Sequence, residues 1–395
     1  MKGGKVLEMD KMKIDSFKIN VDEHDKKFIF EKINNVMDSG TDWTDGTYVK
    51  QFEESFCQFL SCRYGVGVNS GGAALQIVLM AMGYDSQECL AYLPTLTAPP
   101  TVISCLHAGM KVIFIDSNKT DMGMDIHDLE EKINLYKNRY NGVIIPVHIG
   151  GLISQDIDKI VQIGHKNGIP IIEDCAHAHG ATFNGIPAGL RGYAGIFSFF
   201  LTKVLMSGEG GIIVTNNTDV RNKCMMIRNY GKENGVYVHK GFNWRLSEFN
   251  AITALWQTLN ANKIIRSRRN IAAFYDFILG SHQHARILDT SNNSKSAFYK
   301  YIVFLPEEID TDTVSNTLKE KYFINLSGCV YKRPCHKEPV FLHYANSILN
   351  YGEAFPVSEY IAKTHICLPI YPGLNQKEAD YVASSLCSVL EDYGK

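Results

Sequence analysis

Reactive side chains and glycine-rich turns follow several short apolar runs in this sequence. Ser70, Gly71 and Gly72 follow the run Tyr64–Val68, and a stretch of helical length comes next. Glycines let the backbone approach a ligand closely, and a helix N-terminus offers free N–H groups and the positive end of its dipole. The turn is therefore a candidate phosphate cradle, although glycine is also common at strand-to-helix turns for conformational reasons alone.

A carboxylate and an amine follow two later runs. Asp174 ends the run Ile169–Asp174, and a buried carboxylate is costly unless a cation pairs with it. Lys203 lies in the segment 193–208, which carries no other charged residue. An amine in apolar surroundings either extends to solvent or has a lowered pKa suited to Schiff-base chemistry. Taken singly, Asp174 could be a helix cap and Lys203 an ordinary surface lysine.

Together these residues indicate one cofactor. A phosphate cradle, a strand-end acid, a strand-end serine and an isolated lysine, in this order, are what pyridoxal phosphate (PLP) requires. Lys203 would hold the cofactor aldehyde, and Asp174 would keep the pyridine nitrogen protonated, so that the ring can accept an electron pair. Ser198 and the turn Ser70–Gly72 would hold the phosphate. Lys203 and Asp174 are the predicted catalytic residues, and no metal site is predicted.

A mostly parallel sheet would bring these residues together. From about Asp22 to Thr215, short β-branched runs alternate with stretches of helical length, which is typical of a parallel sheet with helices on both faces. The predicted strands are Tyr64–Val68, Cys89–Leu93, Val112–Asp116, Val143–His148, Ile169–Asp174, Ala194–Phe199 and Gly211–Thr215, and the predicted helices include Gly72–Met82 and Gln155–Asn167. Ligands of such sheets bind beyond the carboxyl ends of the strands, where the candidate residues would meet.

The pattern changes near residue 265. A long amphipathic helix is predicted from Ser247 to about Arg268, with Ser247 as its N-cap. A predicted strand, Phe298–Leu305, and two predicted helices, Thr311–Tyr322 and Asp380–Tyr393, follow. We therefore expect a large α/β domain over residues 20–265 and a small α+β domain over residues 266–395, with residues 1–19 peripheral.

Composition and charge exclude several classes of protein. The 395 residues include 40 Lys+Arg and 42 Asp+Glu, a net charge of −2, which gives no general attraction for nucleic acid. The 10 cysteines are scattered without a C-x-x-C pair, which indicates reduced thiols. No apolar stretch reaches the ~18 residues that span a membrane, and the first residues lack the apolar core of a secretory signal. We expect a cytoplasmic protein with no nucleic-acid or membrane partner.

Three ordered motifs give the chain a resemblance to a known family. They are Glu173–Gly180, Phe197–Gly211 and Gly241–Glu248, beside the family patterns E-D-A-A-Q-A-H-G, F-S-F-x-x-x-K-x-x-x-x-G-E-G-G and G-x-N-x-R-x-x-E. From about Ser39 to Leu390 the chain resembles the DegT/DnrJ/EryC1/StrS family of PLP-dependent sugar aminotransferases. The resemblance implies PLP fold type I, an aspartate aminotransferase-like α/β architecture.

The resemblance also implies roles for single residues. Lys203 and Asp174 take the positions of the cofactor-binding lysine and of the carboxylate at the ring nitrogen, and His177 stands where glutamine is usual beside the ring. Asn243 matches an asparagine that the partner subunit contributes to the phosphate, which implies a homodimer with shared active sites. His336 belongs to a segment similar to a P-x-H element near the sugar site, although a structural role is the stronger interpretation for this histidine.

Three positions depart from the family pattern. Gly72 stands where threonine is preferred, and Tyr193 where aspartate is common. Ala98 stands where the family usually has an aromatic residue that stacks on the pyridine ring. Loss of that ring should weaken cofactor binding by about 1 kcal/mol, unless another side chain fills the space.

The predicted function is transfer of an amino group from glutamate or glutamine to a keto group of a sugar, preferably one linked to a nucleotide. A cyclitol (inosose) aminotransferase and a PLP-dependent sugar dehydratase are the alternatives, and a non-catalytic regulatory homologue is the least favoured. Some members of the family carry histidine at the lysine position and dehydrate a keto-deoxy sugar. Lys203 is intact here, which favours transamination.

Overall fold

Helices and strands alternate along most of the chain in the computed structural model, which describes residues 12–288 and 293–393. The strands are β1 (Tyr64–Val68), β2 (Cys89–Pro94), β3 (Lys111–Ile115), β4 (Asn141–Ile144), β5 (Ile172–Asp174), β6 (Thr182–Phe183), β7 (Ile186–Pro187), β8 (Ala194–Ser198), β9 (Gly211–Thr215), β10 (Lys232–Glu233), β11 (Val236–Tyr237), β12 (Arg286–Ile287), β13 (Ser294–Lys295), β14 (Tyr301–Phe304) and β15 (His365–Leu368).

The α-helices and 3₁₀ segments complete this set. The α-helices are α1 (Glu23–Ser39), α2 (Thr47–Leu60), α3 (Gly71–Ala81), α4 (Pro99–His107), α5 (Ile126–Tyr136), α6 (Ile157–Asn167), α7 (Thr218–Arg228), α8 (Glu248–Leu259), α9 (Ala261–Leu279), α10 (Thr311–Tyr322), α11 (Pro356–Thr364) and α12 (Gln376–Tyr393). The 3₁₀ segments are Ile149–Gly151, Cys335–Lys337 and Pro339–Ser347.

A central sheet has the strand order β3-β2-β4-β5-β8-β9-β1 in the described part of the chain. Its two halves are joined by the parallel bridges Ile144–Ile171 and Val147–Asp174, which lie between β4 and β5 or at their ends. Strand β9 is antiparallel to both of its neighbours, and the other pairings are parallel. The predicted mostly parallel sheet is confirmed, and the reversed direction of β9 is a feature that the sequence analysis did not predict.

Helices cover both faces of this sheet because each strand is apolar on both sides. Ile213 packs in a cluster with residues of α3, α4 and α7, whereas its neighbour Ile212 packs in another with residues of α2 and α8. Successive side chains of a strand point to opposite faces, so the two clusters lie on the two sides of the sheet. The continuous apolar runs of the sequence follow from this double burial.

A third apolar cluster lies in the C-terminal part of the chain. It includes residues of the antiparallel sheet β12-β14-β15 and of α9, α10 and α12. Ile14, from the segment expected to be peripheral, is 1% exposed in this cluster and pairs with Ile324. The proposed boundary at residue 265 falls within α9, whose Ile265 packs with the large sheet and whose Ile271 packs in the third cluster.

The single helix predicted from Ser247 to about Arg268 is wrong, because the chain forms α8 and α9 with Asn260 between them. Ser247 caps α8 as predicted, and its Oγ accepts the N–H of Asn250 at 3.3 Å. The side-chain amide of Asn260 donates to the carbonyl of Trp256 at 2.9 Å and so partners a carbonyl group at the end of α8. The apolar spacing continues across the break, so the periodicity gave no sign of it.

Candidate active site

The strands place their carboxyl ends at one edge of the central sheet. Val68 at the end of β1 and Ser198 at the end of β8 both pair with Gly211, the first residue of β9. Asp174 ends β5, the parallel neighbour of β8. A Cβ atom at Gly211 would lie 2.5 Å from the carbonyl carbon and oxygen of Ser70, so only glycine allows the turn after β1 to approach this closely.

The turn after β1 and the end of β8 form an anion cradle. Ser70 is the N-cap of α3, and its Oγ accepts the N–H of Ala73 at 3.1 Å. A Cβ at Gly71 would lie 2.8 Å from the Cβ of Ser198, so glycine is needed where the helix begins beside the serine. The first N–H groups of a helix have no partner within the helix, and they favour a phosphate.

A cavity of about 430 Å³ lies between this cradle, Asp174 and Lys203. Its size is in the range of small-molecule sites. The predicted residues that line it are Ser70, Gly71, Gly72, Asp174, His177, Ser198 and Lys203, and its other lining residues include Ala98, Thr101, Ala176, Phe200 and Tyr331. The fold thus brings together the predicted residues from three separate strand ends.

Asp174 is held in one orientation at the wall of the cavity. The side chain of Thr101 donates to its Oδ2 at 2.8 Å, and the N–H of Ala176 donates to its Oδ1 at 3.0 Å. Burial raises the pKa of Asp174, against the lowering effects of these two donors and of Lys203. The raised pKa indicates that the described residues do not fully compensate the charge of Asp174. A protonated ring nitrogen of the cofactor would supply the missing positive charge.

Lys203 lies in the loop after β8, where its own N–H donates to the carbonyl of Phe200 at 2.9 Å. Its Nζ lies 4.9 Å from the centre of the Tyr299 ring. Burial lowers the pKa of Lys203 to about 8, the charge of Asp174 opposes this effect, and the charge of Lys300 adds to it. An amine that is partly neutral near physiological pH can attack an aldehyde.

The ring of His177 stacks on two tyrosine rings. Its ring centre lies 4.2 Å from that of Tyr299 and 5.9 Å from that of Tyr331, with interplanar angles of 24° and 25°. Burial holds the pKa of His177 well below its usual value, and the charges of Lys203 and Lys300 act in the same direction. Its buried Nδ1 has no hydrogen-bond partner among the described residues, which leaves it free for a polar atom of a ligand.

Two predicted residues do not line the cavity. Asn243 is exposed beside the end of β1, in the segment whose Trp244 carbonyl accepts the N–H of Asn69 at 3.1 Å. His336 is bonded at both ring nitrogens, with Nδ1 2.8 Å from Thr95 Oγ1 and Nε2 3.0 Å from Glu359 Oε1. These contacts engage the ring of His336 within the protein itself.

Glu173, beside Asp174, serves the loop before β8. Its oxygens accept the N–H groups of Gly189, Arg191 and Gly192 at 3.0, 2.6 and 3.1 Å, and Oε2 lies 2.9 Å from His148 Nε2. Burial alone would raise the pKa of Glu173, but the bonds to His148 and to the N–H groups outweigh it and hold that pKa below its usual value. His148 is therefore a partner of Glu173 rather than a residue of the cavity.

The sequence analysis missed Thr101, Tyr299 and Tyr331. Thr101 lies in the first turn of α4, and no local pattern indicates that its hydroxyl reaches Asp174. Tyr299 and Tyr331 come from the C-terminal part of the chain, and both stack on His177. Tyr331 stands just before the segment that contains His336, so the motif in the sequence indicated this part of the chain but not the tyrosine.

The sequence of the chain matches a known protein family over most of its length. The model of the DegT/DnrJ/EryC1/StrS aminotransferase family matches residues 23–387. The chain belongs to this family. The resemblance drawn from the three sequence motifs is thus confirmed, and with it the aspartate aminotransferase-like α/β fold of type I.

Individual relatives match over most of their length. GDP-perosamine synthase of Vibrio cholerae is 27% identical over 95% of this chain and 97% of its own. A protein of Geobacillus stearothermophilus named pleiotropic regulatory protein is 30% identical over 86% of this chain and 89% of its own. The crystal structure of S. venezuelae DesV in complex with a ketimine intermediate has a TM-score of 0.85 and 26% identity, and covers 93% of this chain and 96% of its own.

Membership in the family establishes the class of enzyme. The DegT/DnrJ/EryC1/StrS protein described here is a PLP-dependent aminotransferase. Its own residues fit the cofactor, because a buried carboxylate, a lysine amine and an anion cradle surround one cavity. Within residues 12–288 and 293–393, no helix combines the length and the apolarity required to cross a membrane.

Proposed function

We propose that this aminotransferase moves an amino group from glutamate or glutamine to a keto group of a nucleotide-linked sugar. The observation that carries the proposal is an intact Lys203 beside the buried Asp174, at a cavity that ends in an anion cradle. The likeness to GDP-perosamine synthase over nearly the whole chain supports a nucleotide-linked sugar as acceptor. A cyclitol ketone is the second candidate, since it offers a similar ring of hydroxyl groups.

The residues of the cavity would hold the cofactor at both ends. Ser198 and the first N–H groups of α3, from Gly71 onward, would bind its phosphate. Asp174, fixed by Thr101 and Ala176, would accept the proton-bearing ring nitrogen. When bound, PLP supplies an electron sink and carries the amino group between donor and acceptor.

Lys203 would do two things in this site. Its Nζ would hold the cofactor between turnovers, and once released it would take a proton from the donor carbon and return one to the cofactor carbon that bears the nitrogen. The lowered pKa of about 8 suits a group that both accepts and gives a proton near neutral pH. The partner-free Nδ1 of the neutral His177 would face a polar atom of the ring.

We also propose a homodimer in the cytoplasm. Asn243 is exposed at the edge of the cradle, and nearby apolar side chains are exposed on the hairpin β10–β11, with Val236 at 61% and Tyr237 at 68%. A second copy that covered this hairpin would bury apolar surface and bring Asn243 of the partner subunit to the phosphate. The ten free cysteines fit a reducing compartment.

A regulatory role without catalysis has one supporting observation, the 30% identity to the pleiotropic regulatory protein. The site argues against it, since Lys203 and Asp174 would have no reason to share a buried cavity in a protein that binds no cofactor. A dehydratase is disfavoured because Lys203 stands at the position where the dehydrating members of the family carry histidine.

The test has two steps. The first is the reaction of the cofactor with the amino donor alone, and the second is the reaction of the aminated protein with a set of keto compounds. With glutamate or glutamine alone, the PLP-loaded protein should convert its cofactor to the aminated form, as read by absorbance and mass spectrometry. Keto-sugar nucleotides and inososes are then offered to the aminated protein, and the true acceptor class should return the cofactor to the aldehyde form. Lys203→Ala is the control and should not turn over.

Three outcomes would contradict the proposal. If no donor aminates the cofactor, the protein is not a transaminase of these amino acids. If a sugar loses a hydroxyl group without gaining nitrogen, the dehydratase alternative is correct. If the donor aminates the cofactor but only inososes return it to the aldehyde form, the cyclitol alternative is correct.

A further inference from the structure

The cavity lacks an aromatic side chain at the point where the chain passes from β2 to α4. Ala98 is the N-cap of α4 and offers only a methyl group to the cavity. A planar pyridine ring gains about 0.5–1.5 kcal/mol from an aromatic neighbour beyond the area that it buries. The question is whether another part of the chain supplies that neighbour.

Tyr331 lines the same cavity as Ala98, although the two residues are far apart in the sequence. Its hydroxyl lies near the side chain of Thr97, the residue before Ala98, and its ring stacks on His177. The tyrosine ring is thus an aromatic surface in the cavity wall that Ala98 also lines.

Two threonine hydroxyl groups near Tyr331 lead to the carboxylate. The hydroxyl of Thr97 donates to Oγ1 of Thr101 at 3.3 Å, and Thr101 donates to Asp174 Oδ2 at 2.8 Å. Burial and the charge of Asp174 raise the pKa of Tyr331 well above its usual value, so the tyrosine hydroxyl stays protonated near this carboxylate.

The segment that carries Tyr331 is fastened to the end of β2. The N–H of Cys335 donates to the carbonyl of Thr95 at 2.7 Å, and its thiol lies 3.2 Å from the carbonyl of Thr97. His336 contacts the Thr95 hydroxyl through Nδ1 and through its backbone N–H. These bonds hold the tyrosine in place, and they give His336 a positioning role.

We propose that Tyr331 is the cofactor-binding aromatic residue of this chain, which supplies the ring surface absent at Ala98. The inference rests on the cofactor position set by Asp174 and Lys203, and it does not depend on which acceptor is used.

The test measures PLP affinity directly, by titrating cofactor-free protein and following absorbance and tyrosine fluorescence. Tyr331→Ala should weaken binding by about 2- to 12-fold, which is the range of an aromatic pair. Tyr331→Phe keeps the ring, so its PLP affinity should stay within about 2-fold of wild type. Thermal unfolding of the cofactor-free variants checks that each one folds.

A matched pair of variants separates ring stacking from general damage. Ala98→Phe should weaken PLP binding in the wild-type background, where Tyr331 fills the space, and should restore it when combined with Tyr331→Ala. Wild-type affinity in Tyr331→Ala would overturn the proposal, as would tighter binding by Ala98→Phe alone. The affinity of Ala98→Phe can be measured even if Tyr331→Ala does not fold. Neither measurement requires that the amino donor or the acceptor be known.

Discussion

The amine of Lys203 shows how the surroundings of one residue prepare it for chemistry. An ordinary lysine with a pKa of 10.5 is almost entirely protonated at neutral pH, whereas burial brings the pKa of this one to about 8. With that value about a quarter of the molecules carry a neutral amine at a pH near 7.5. The fold thus supplies a nucleophile without a separate base beside it.

We predict that the cofactor-free protein takes up PLP faster as the pH rises through about 8, because only the neutral amine attacks an aldehyde. Stopped-flow absorbance of the bound cofactor, at pH values on both sides of 8, gives the midpoint. Lys203→Ala should show no such signal.

Lys300→Met provides the matched control. Lys300 lowers the pKa of Lys203 by its charge, and its Nζ donates to the carbonyl of Ser327 at 2.6 Å. Removal of that charge favours the protonated form of Lys203, so the midpoint should move to higher pH. A wild-type midpoint near 10.5, or a downward shift in Lys300→Met, would count against this explanation of the amine.

At the scale of single residues, the sequence identifies the reactive groups of the cavity but not the residues that surround and position them. Lys203 and Asp174 could be chosen because each has a rare chemical character at the end of an apolar run. Thr101 and Tyr331 could not, since a threonine in a helix and a tyrosine in a loop become significant only through contacts that folding creates.

At the scale of elements, a carboxylate holds the start of one helix against the start of another. Glu248 begins α8 and is 1% exposed. Its oxygens accept the N–H groups of Gly46, Tyr48 and Val49 at 3.0, 2.7 and 3.0 Å. These are the otherwise unpaired donors at the start of α2, whose N-cap Gly46 has no side chain to cap them.

We predict that Glu248→Ala lowers the free energy of unfolding by about 3 kcal/mol, because two buried N–H groups and one partly buried N–H group lose a charged acceptor. Urea unfolding measures the loss. Glu54→Ala, at an exposed carboxylate of α2, is the control and should stay within about 0.5 kcal/mol of wild type. Equal losses in the two variants would show that Glu248 does not act as the cap of α2.

The elements also mark the limits of prediction from sequence. Strands β1 and β9 have the predicted bounds, because apolar runs flanked by turn residues identify strands. The reversed direction of β9 leaves no trace in such a run, since a strand has the same side-chain pattern in both directions. Strand β4 ends at Ile144 instead of His148, and beyond it the N–H of Ile145 still donates to the carbonyl of Tyr92 and Val147 forms a bridge with Asp174.

At the scale of the whole molecule, the proposed dimer would complete each active site with the exposed Asn243 of the partner subunit. Phe242 and Trp244, on either side of Asn243, stack with ring centres 3.9 Å apart. The stack fixes the backbone that presents the asparagine outward. Each site of the proposed dimer would therefore contain Lys203 of one subunit and Asn243 of the partner subunit.

We predict that two inactive variants restore activity when their subunits are mixed. A heterodimer of Lys203→Ala and Asn243→Ala has one site with both residues intact, so random mixing should recover about a quarter of wild-type activity. Refolding the variants together and assaying donor-driven amination of the cofactor measures the recovery.

The control combines Lys203→Ala with Asp174→Asn. Both residues line the cavity of the same chain, so no heterodimer of this pair has an intact site, and it should stay inactive. Recovery in this control, or none in the first mixture, would contradict sites shared between subunits.

Because Ile14 pairs with Ile324, the packing around Ile14 can form only after most of the described chain has been synthesised. The carbonyl of Ile14 accepts from Asn325, a residue 311 positions later, and the isoleucine side chain has its place only among residues translated after it. At the usual pace of translation, about 5–20 residues per second, this apolar side chain waits roughly 15–60 seconds for its neighbours. The segment around Ile14 is thus exposed to chaperones or to mispairing until the residues that pack against it have been synthesised.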